Sequence, residues 1–146
     1  MLYTEMTKKA MRLCYKAHRD QTDKSGLPYV FHPIHLAEQM PDELTTTVAL
    51  LHDVAEDSPY TIEDMEALGF PPEVTEAVAL MTHEKGTPYL DYVARLGQNP
   101  IARIVKLADL RHNSDLTRLD QVDERALTRV EKYQKAIELL ESMENG

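Results

Sequence analysis

The sequence predicts an all-α fold, a compact bundle of seven to eight helices, on three observations. Apolar residues recur at three- and four-residue spacing in nearly every segment, and Pro, Gly, Thr, Asp and Asn stand where helices begin and end. No stretch alternates apolar and polar residues over four to eight positions, so no sheet is required. With 42% hydrophobic and 28% charged residues in 146, the chain is built like a globular domain, and residues 1–146 read as one unit with a single core.

Each element has its own signals. Thr4 caps a helix from Glu5 to about Arg19, with Met6, Ala10, Leu13, Cys14 and Ala17 on its buried face. The polar stretch from Asp20 to Pro28 is a loop, and Pro33 opens a helix to about Met40 that leaves His32 at its entrance. Asp42 caps Glu43 to Glu56, whose middle, Val48 to Leu51, is apolar enough to lie deep. Thr61 and Asp64 form a capping box for a short helix ended by Gly69, and Pro71-Pro72 restarts the chain with Val74, Ala77, Val78 and Met81 as its stripe. Thr87-Pro88 caps a helix ended by Gly97, and Asn99-Pro100 caps another with Ile101, Ile104, Val105, Ala108 and Leu116 in the core. A C-terminal helix over about 124–143 presents Leu127, Val130, Ala136, Ile137 and Leu140.

Charge and cysteine content narrow the function. Sixteen Lys and Arg against 25 Asp and Glu give a net charge of −9, which argues against duplex nucleic acid or an anionic membrane as partner. A phosphate ligand then needs a local positive centre, and a divalent cation supplies one. The single Cys14, with no long apolar run and no signal peptide, reads as cytoplasmic.

The informative stretch is His52-Asp53-Val54-Ala55-Glu56-Asp57, directly after the apolar Val48 to Leu51. In a continuous helix His52 and Glu56 share one face, and Asp53 and Asp57 the next. The bland reading is a solvated helix end, but acids there oppose the helix dipole, and buried carboxylates need a partner or a metal. Asp109 is set into another apolar run. His32, His52, Asp53 and Asp109 make a mixed nitrogen and oxygen set suited to one Mn²⁺, with Fe²⁺ or Zn²⁺ as alternatives. Around a six-coordinate ion, four protein ligands leave positions for a water and a phosphate oxygen.

The order His32, His52-Asp53, Asp109 resembles the H…HD…D pattern of the HD-domain metal-dependent phosphohydrolases. Further motifs narrow the likeness: His18, Gly26-Leu-Pro28-Tyr29, His32-Pro33, Ala49 to Asp57, Thr61, Gly69, Thr82, Lys85, and Lys106-Leu-Ala-Asp109 with Asn113. In this order they are similar to the hydrolase domain of RelA/SpoT-type proteins and the small alarmone hydrolases, over about residues 5–120. The resemblance implies removal of the 3′-pyrophosphate from (p)ppGpp with Mn²⁺. It implies His32, His52, Asp53 and Asp109 as metal ligands, Glu56 and Asp57 as the pair that orients and deprotonates the water, and Asn113 near the substrate. The loop before Gly26 departs from the family in keeping Lys24 as its one base, here expected to contact a phosphate. Other readings are an HD phosphohydrolase on a different nucleotide, monophosphate or cyclic, and a regulatory module that binds a nucleotide without turnover.

The remaining residues have plainer expectations. His18, His35 and His83 are assigned to packing or solvent, Cys14 to the core, and His112 to packing or the rim of the pocket. Tyr29 and Tyr89 are expected to stack on a base or to pack at the rim.

Overall fold

The computed structural model describes residues 1–145, which form nine α-helices and a 3₁₀ turn. They are α1 (Glu5–His18), α2 (Phe31–Glu38), α3 (Glu43–Leu51), α4 (Val54–Asp57), α5 (Ile62–Ala67), α6 (Pro72–Met81), α7 (Tyr89–Leu96), α8 (Pro100–Asn113) and α9 (Glu124–Asn145), with the 3₁₀ turn at Leu116–Arg118. Among the described residues the only extended pairing is an isolated bridge between Thr22 and Pro28, and no helix is long and apolar enough to cross a membrane.

α3 is the centre. Residues 45–51 are all buried, so this helix is enclosed on every side, packed by α1, α2, α6 and α8. Three consecutive threonines survive there because their hydroxyls find oxygens on the helix itself. Thr46 donates to Asp42 O at 2.6 Å, Thr47 to Glu43 O at 2.8 Å, and Thr45 to the capping Asp42 carboxylate at 2.7 Å. Around α3 lie Leu36, Val54, Met65, Val78, Leu96 and Leu110, each fully buried, and Cys14 among them has its thiol pushed up to about 12 by burial and then by Asp53. Capping follows the sequence at α1, α3, α5 and α8: Thr4 and Thr61 make capping boxes, and Asn99 accepts from the amides of Ile101 and Ala102 at 3.0 Å each. Each such cap is worth about 1 kcal/mol.

Four expectations are corrected. The helix expected over Glu43 to Glu56 breaks after Leu51, because His52 Nδ1 meets the carbonyl of Ala49 at 2.7 Å and covers an end of α3. The helix from Pro100 stops at Asn113, which leaves Leu116 in the 3₁₀ turn and outside the core. Leu127 is 49% exposed and Ala126 is buried in its place, since the first turns of α9 face a surface cleft rather than the core. α7 is entered through Pro88 with no side-chain cap from Thr87.

The two glycines expected to end helices act differently. Gly69, with φ +93°, is a left-handed terminator as expected, whereas Gly97 is right-handed at φ −63°. Gly97 is small because α9 passes over it: a Cβ there would meet Met143 Sδ at 2.7 Å and Leu140 Cδ2 at 2.8 Å.

Candidate metal centre and adjoining cleft

Three separated segments deliver one cluster. α2 brings His32, the break between α3 and α4 brings His52 and Asp53, and α8 brings Asp109. One ligand atom from each of these four lies within 4.8 Å of the others. The break in the helix is what makes this possible, since it places His52 and Asp53 between two helical segments with the buried end of α3 behind them. His32, His52 and Asp109 are buried and Asp53 is partly so.

The cluster is electrostatically tight. His32 Nε2 lies 2.8 Å from Asp109 Oδ1, and Lys106 Nζ donates to Asp109 Oδ2 at 3.0 Å. With Nδ1 of His52 directed at Ala49, its Nε2 faces Asp53 Oδ2 at 3.0 Å and Asp109 Oδ1 at 3.5 Å, aligned for a hydrogen bond with neither. A buried ring nitrogen with no hydrogen-bond partner, amid two carboxylates and a second imidazole, is a donor set that could hold a divalent ion. Burial disfavours charge on all these groups, but the contacts win. Asp53 and Asp109 hold His52 well above the ordinary histidine range, and His52 draws Asp53 down to about 2. Lys106, His32 and His52 hold Asp109 well below the carboxylate range.

Glu56 and Asp57 project from α4 at the exposed edge of the cluster. Both have raised pKa values, from partial desolvation first and then from the neighbouring Asp53 charge. That places two carboxylates of increased basicity within one helical turn of Asp53, with the Asp57 amide bonded to the Asp53 carbonyl at 2.9 Å.

Next to the cluster lies a cleft of about 330 Å³, whose lining includes Lys24, Tyr29, Asn113, Arg118, Arg129 and Tyr133. Tyr29 and Asn113 belong to both: the Tyr29 hydroxyl donates to Asp53 Oδ2, and Asn113 Nδ2 donates to Asp109 Oδ1 at 3.0 Å. The loop that carries Lys24 is ordered by its own turn. Asp23 Oδ1 accepts from the amides of Ser25 at 2.9 Å and Leu27 at 3.0 Å, Gly26 takes φ +79°, and Ser25 Oγ anchors the loop to Arg118 O at 2.7 Å.

No family model matches the sequence. The bifunctional (p)ppGpp synthase/hydrolase SpoT of Escherichia coli is 37% identical over 112 residues, which cover 66% of this chain and 16% of SpoT. The human guanosine-3′,5′-bis(diphosphate) 3′-pyrophosphohydrolase MESH1 is 36% identical over 118 residues, 70% of this chain and 65% of MESH1. A solved structure, described as a metazoan ortholog of SpoT that hydrolyzes ppGpp, matches with a TM-score of 0.71 at 24% identity, over 98% of this chain and 96% of that one. The chain is a homologue of SpoT and MESH1. It has the fold of the SpoT ortholog along its length, while the aligned region spans about a sixth of SpoT and just under two thirds of MESH1.

Several site residues escape a reading by motif. Arg118, Arg129 and Tyr133 join Lys24 at the cleft from the turn after α8 and from α9, more than 90 positions along the chain. No spacing rule connects them. Tyr29 is a carboxylate partner rather than only a rim residue, and Lys106 is a partly buried cation on Asp109. His18 is fully buried, its Nδ1 2.8 Å from Gln21 Oε1, while Gln21 Nε2 donates to Asp57 O at 2.7 Å, so the pair fastens α1 to the segment bearing the acids. His83 packs as expected, stacked on Tyr92 with ring centroids 4.5 Å apart.

Proposed function

We propose that this chain is a metal-dependent hydrolase that removes the 3′-pyrophosphate of (p)ppGpp, with residues 1–146 as one hydrolase domain. The observation that carries the reading is the junction of the two halves of the site: Tyr29 and Asn113 line the cationic cleft and also bond the carboxylates of the cluster. A nucleotide held in the cleft by its phosphates therefore reaches the ligand set without crossing the protein. Hydrolysis of (p)ppGpp is among the acts that SpoT and MESH1 are named for, and it is the reading this adjacency supports.

His32, His52, Asp53 and Asp109 would hold one ion, Mn²⁺ by preference for a mixed nitrogen and oxygen set with open positions. When bound, such an ion lowers the pKa of a water and offsets charge on the phosphate. Glu56 or Asp57 accepts the proton of the attacking water as its oxygen bonds to the phosphorus on the ribose side. The bond from that phosphorus to the 3′ oxygen breaks, the 3′ oxygen takes up a proton, and pyrophosphate departs. Lys24, Arg118 and Arg129 meet phosphate charge in the cleft, and Asn113 holds Asp109 while facing the nucleotide. These three cations, against Asp23 and Asp115 in the same lining, make the cleft locally positive within a chain of net charge −9. A buried, unreactive Cys14 suits the reducing cytoplasm.

Incubation of the purified protein with Mn²⁺ and a panel of ppGpp, nucleoside monophosphates and cyclic nucleotides tests the reading. Pyrophosphate release from ppGpp is the expected result. Turnover of the other nucleotides in its place would reassign the substrate, and ppGpp binding with no turnover of any of them would reduce the protein to a regulatory module, a role that leaves Glu56 and Asp57 without a task.

A further inference from the structure

His32 is gripped at both ring nitrogens. Nε2 faces Asp109 Oδ1 at 2.8 Å, and Nδ1 lies 2.7 Å from Nδ1 of His112. The two ring planes are only 5° apart with centroids at 4.9 Å, so the rings meet edge to edge, nitrogen to nitrogen. At that separation one Nδ1 carries the hydrogen and the other offers a lone pair. Which is which follows from the other end of His32: an Nε2 that ligates an ion carries no hydrogen, so in the neutral ring the hydrogen sits on Nδ1.

We propose that His112 is a positioning residue for the metal, accepting the Nδ1–H of His32 and so fixing the tautomer and ring orientation that present Nε2 to the ion. The sequence arranges this economically. His112 stands three residues after Asp109, so α8 delivers both a ligand and the acceptor that orients a second ligand. His35 stands three residues after His32 and packs its ring against His112 with centroids 4.1 Å apart, which gives α2 a reciprocal hold on the acceptor. The backbone at His112 is fixed as well, since Arg118 donates to its carbonyl at 2.9 Å.

The inference rests on the reading of the cluster as a metal centre, and the test separates the two. Metal-stripped wild type, His112→Asn and His112→Phe are titrated with Mn²⁺, with free ion followed by electron paramagnetic resonance. Asparagine keeps an acceptor oxygen near the place of Nδ1, whereas phenylalanine keeps a flat ring and no acceptor. Binding about 10- to 100-fold weaker in His112→Phe, with His112→Asn close to wild type, is expected from the usual effect of an outer partner on metal affinity. Equal affinities in all three, equal losses in both variants, or loss in His112→Asn alone would overturn the role. Wild type that binds no Mn²⁺ would overturn the metal centre and the inference with it. Should either variant misfold, nitrogen NMR of the Zn²⁺-loaded wild type decides: His32 protonated at Nδ1 is expected, and His32 protonated at Nε2 refutes the proposal.

Discussion

Asn113 Nδ2 lies 3.0 Å from Asp109 Oδ1, one turn earlier on α8, and its side chain also borders the cleft. One helical turn thus joins the lining of the cleft to the carboxylate at the heart of the cluster. A nucleotide that draws Asn113 toward itself changes the hydrogen bonding of Asp109, whose two oxygens otherwise face His32, Asn113 and Lys106.

Metal binding should strengthen with rising pH. His52 must be neutral to ligate, yet without an ion Asp53 and Asp109 outweigh its burial and hold its pKa well above the ordinary value, so the ion has a proton to displace. Calorimetry in buffers of different ionisation heat should show proton release on Mn²⁺ binding, and tighter binding at about pH 8 than at about pH 6. That same proton stabilises the metal-free fold below the ordinary histidine pKa, a contribution lost as pH rises through the raised value. Added metal should therefore raise the melting temperature most at the alkaline end. Affinity independent of pH would remove His52 from the ligand set.

Glu56→Gln should keep the ion and lose roughly 10²-fold or more in kcat, the usual scale for a general base. Asp53→Asn should lose both metal and activity. Because partial desolvation and then Asp53 and Asp57 raise the Glu56 pKa, and the base works ionised, activity should fall with decreasing pH along a limb above the ordinary glutamate value of about 4.3. Equal loss of metal in the two variants would make Glu56 a ligand.

Lys24→Ala and Arg129→Ala should each raise KM for ppGpp by about tenfold, the size of one charge-assisted contact, with a smaller effect on kcat. Both effects should shrink at high salt, since Lys24 is exposed and Arg129 only partly covered. A KM unchanged at both low and high salt would put the nucleotide outside this cleft.

Gly97→Ala should destabilise the fold by about 1–3 kcal/mol, since the new methyl would overlap Leu140 and Met143 of α9. The backbone at Gly97 suits alanine, so the loss is purely one of space. Urea denaturation of Gly97→Ala, alone and with Met143→Ala, checks this: the second change should recover part of the loss. An unaltered midpoint in the single variant would show that α9 shifts freely over α7.

Local chemistry made much of this legible in the chain itself. Capping at Thr4, Asp42, Thr61 and Asn99 depends on the side chain's own neighbours, and the enclosed run from Val48 to Leu51 is apolar on every side because it lies at the centre of the bundle. His52, Asp53 and Asp109 stood out because ionisable residues beside apolar runs need a partner, His32 because it stands at a helix entrance before Pro33, and the structure brings those four together. What tertiary structure alone decided is of another kind. The break after Leu51 turns on a ring nitrogen reaching back to Ala49, Leu127 faces outward because α9 begins over a cleft, and Gly97 is small because α9 crosses it. Lys24 and Arg129 meet across more than 100 positions of chain, as do the cleft and the cluster through Tyr29 and Asn113. Periodicity and capping act within a turn or two of helix, so the sequence by itself determined most of the helices, but not the break after Leu51, and the residue types of the cluster. Which cations share a surface with them is set by how the helices pack, through contacts that no spacing along the chain encodes.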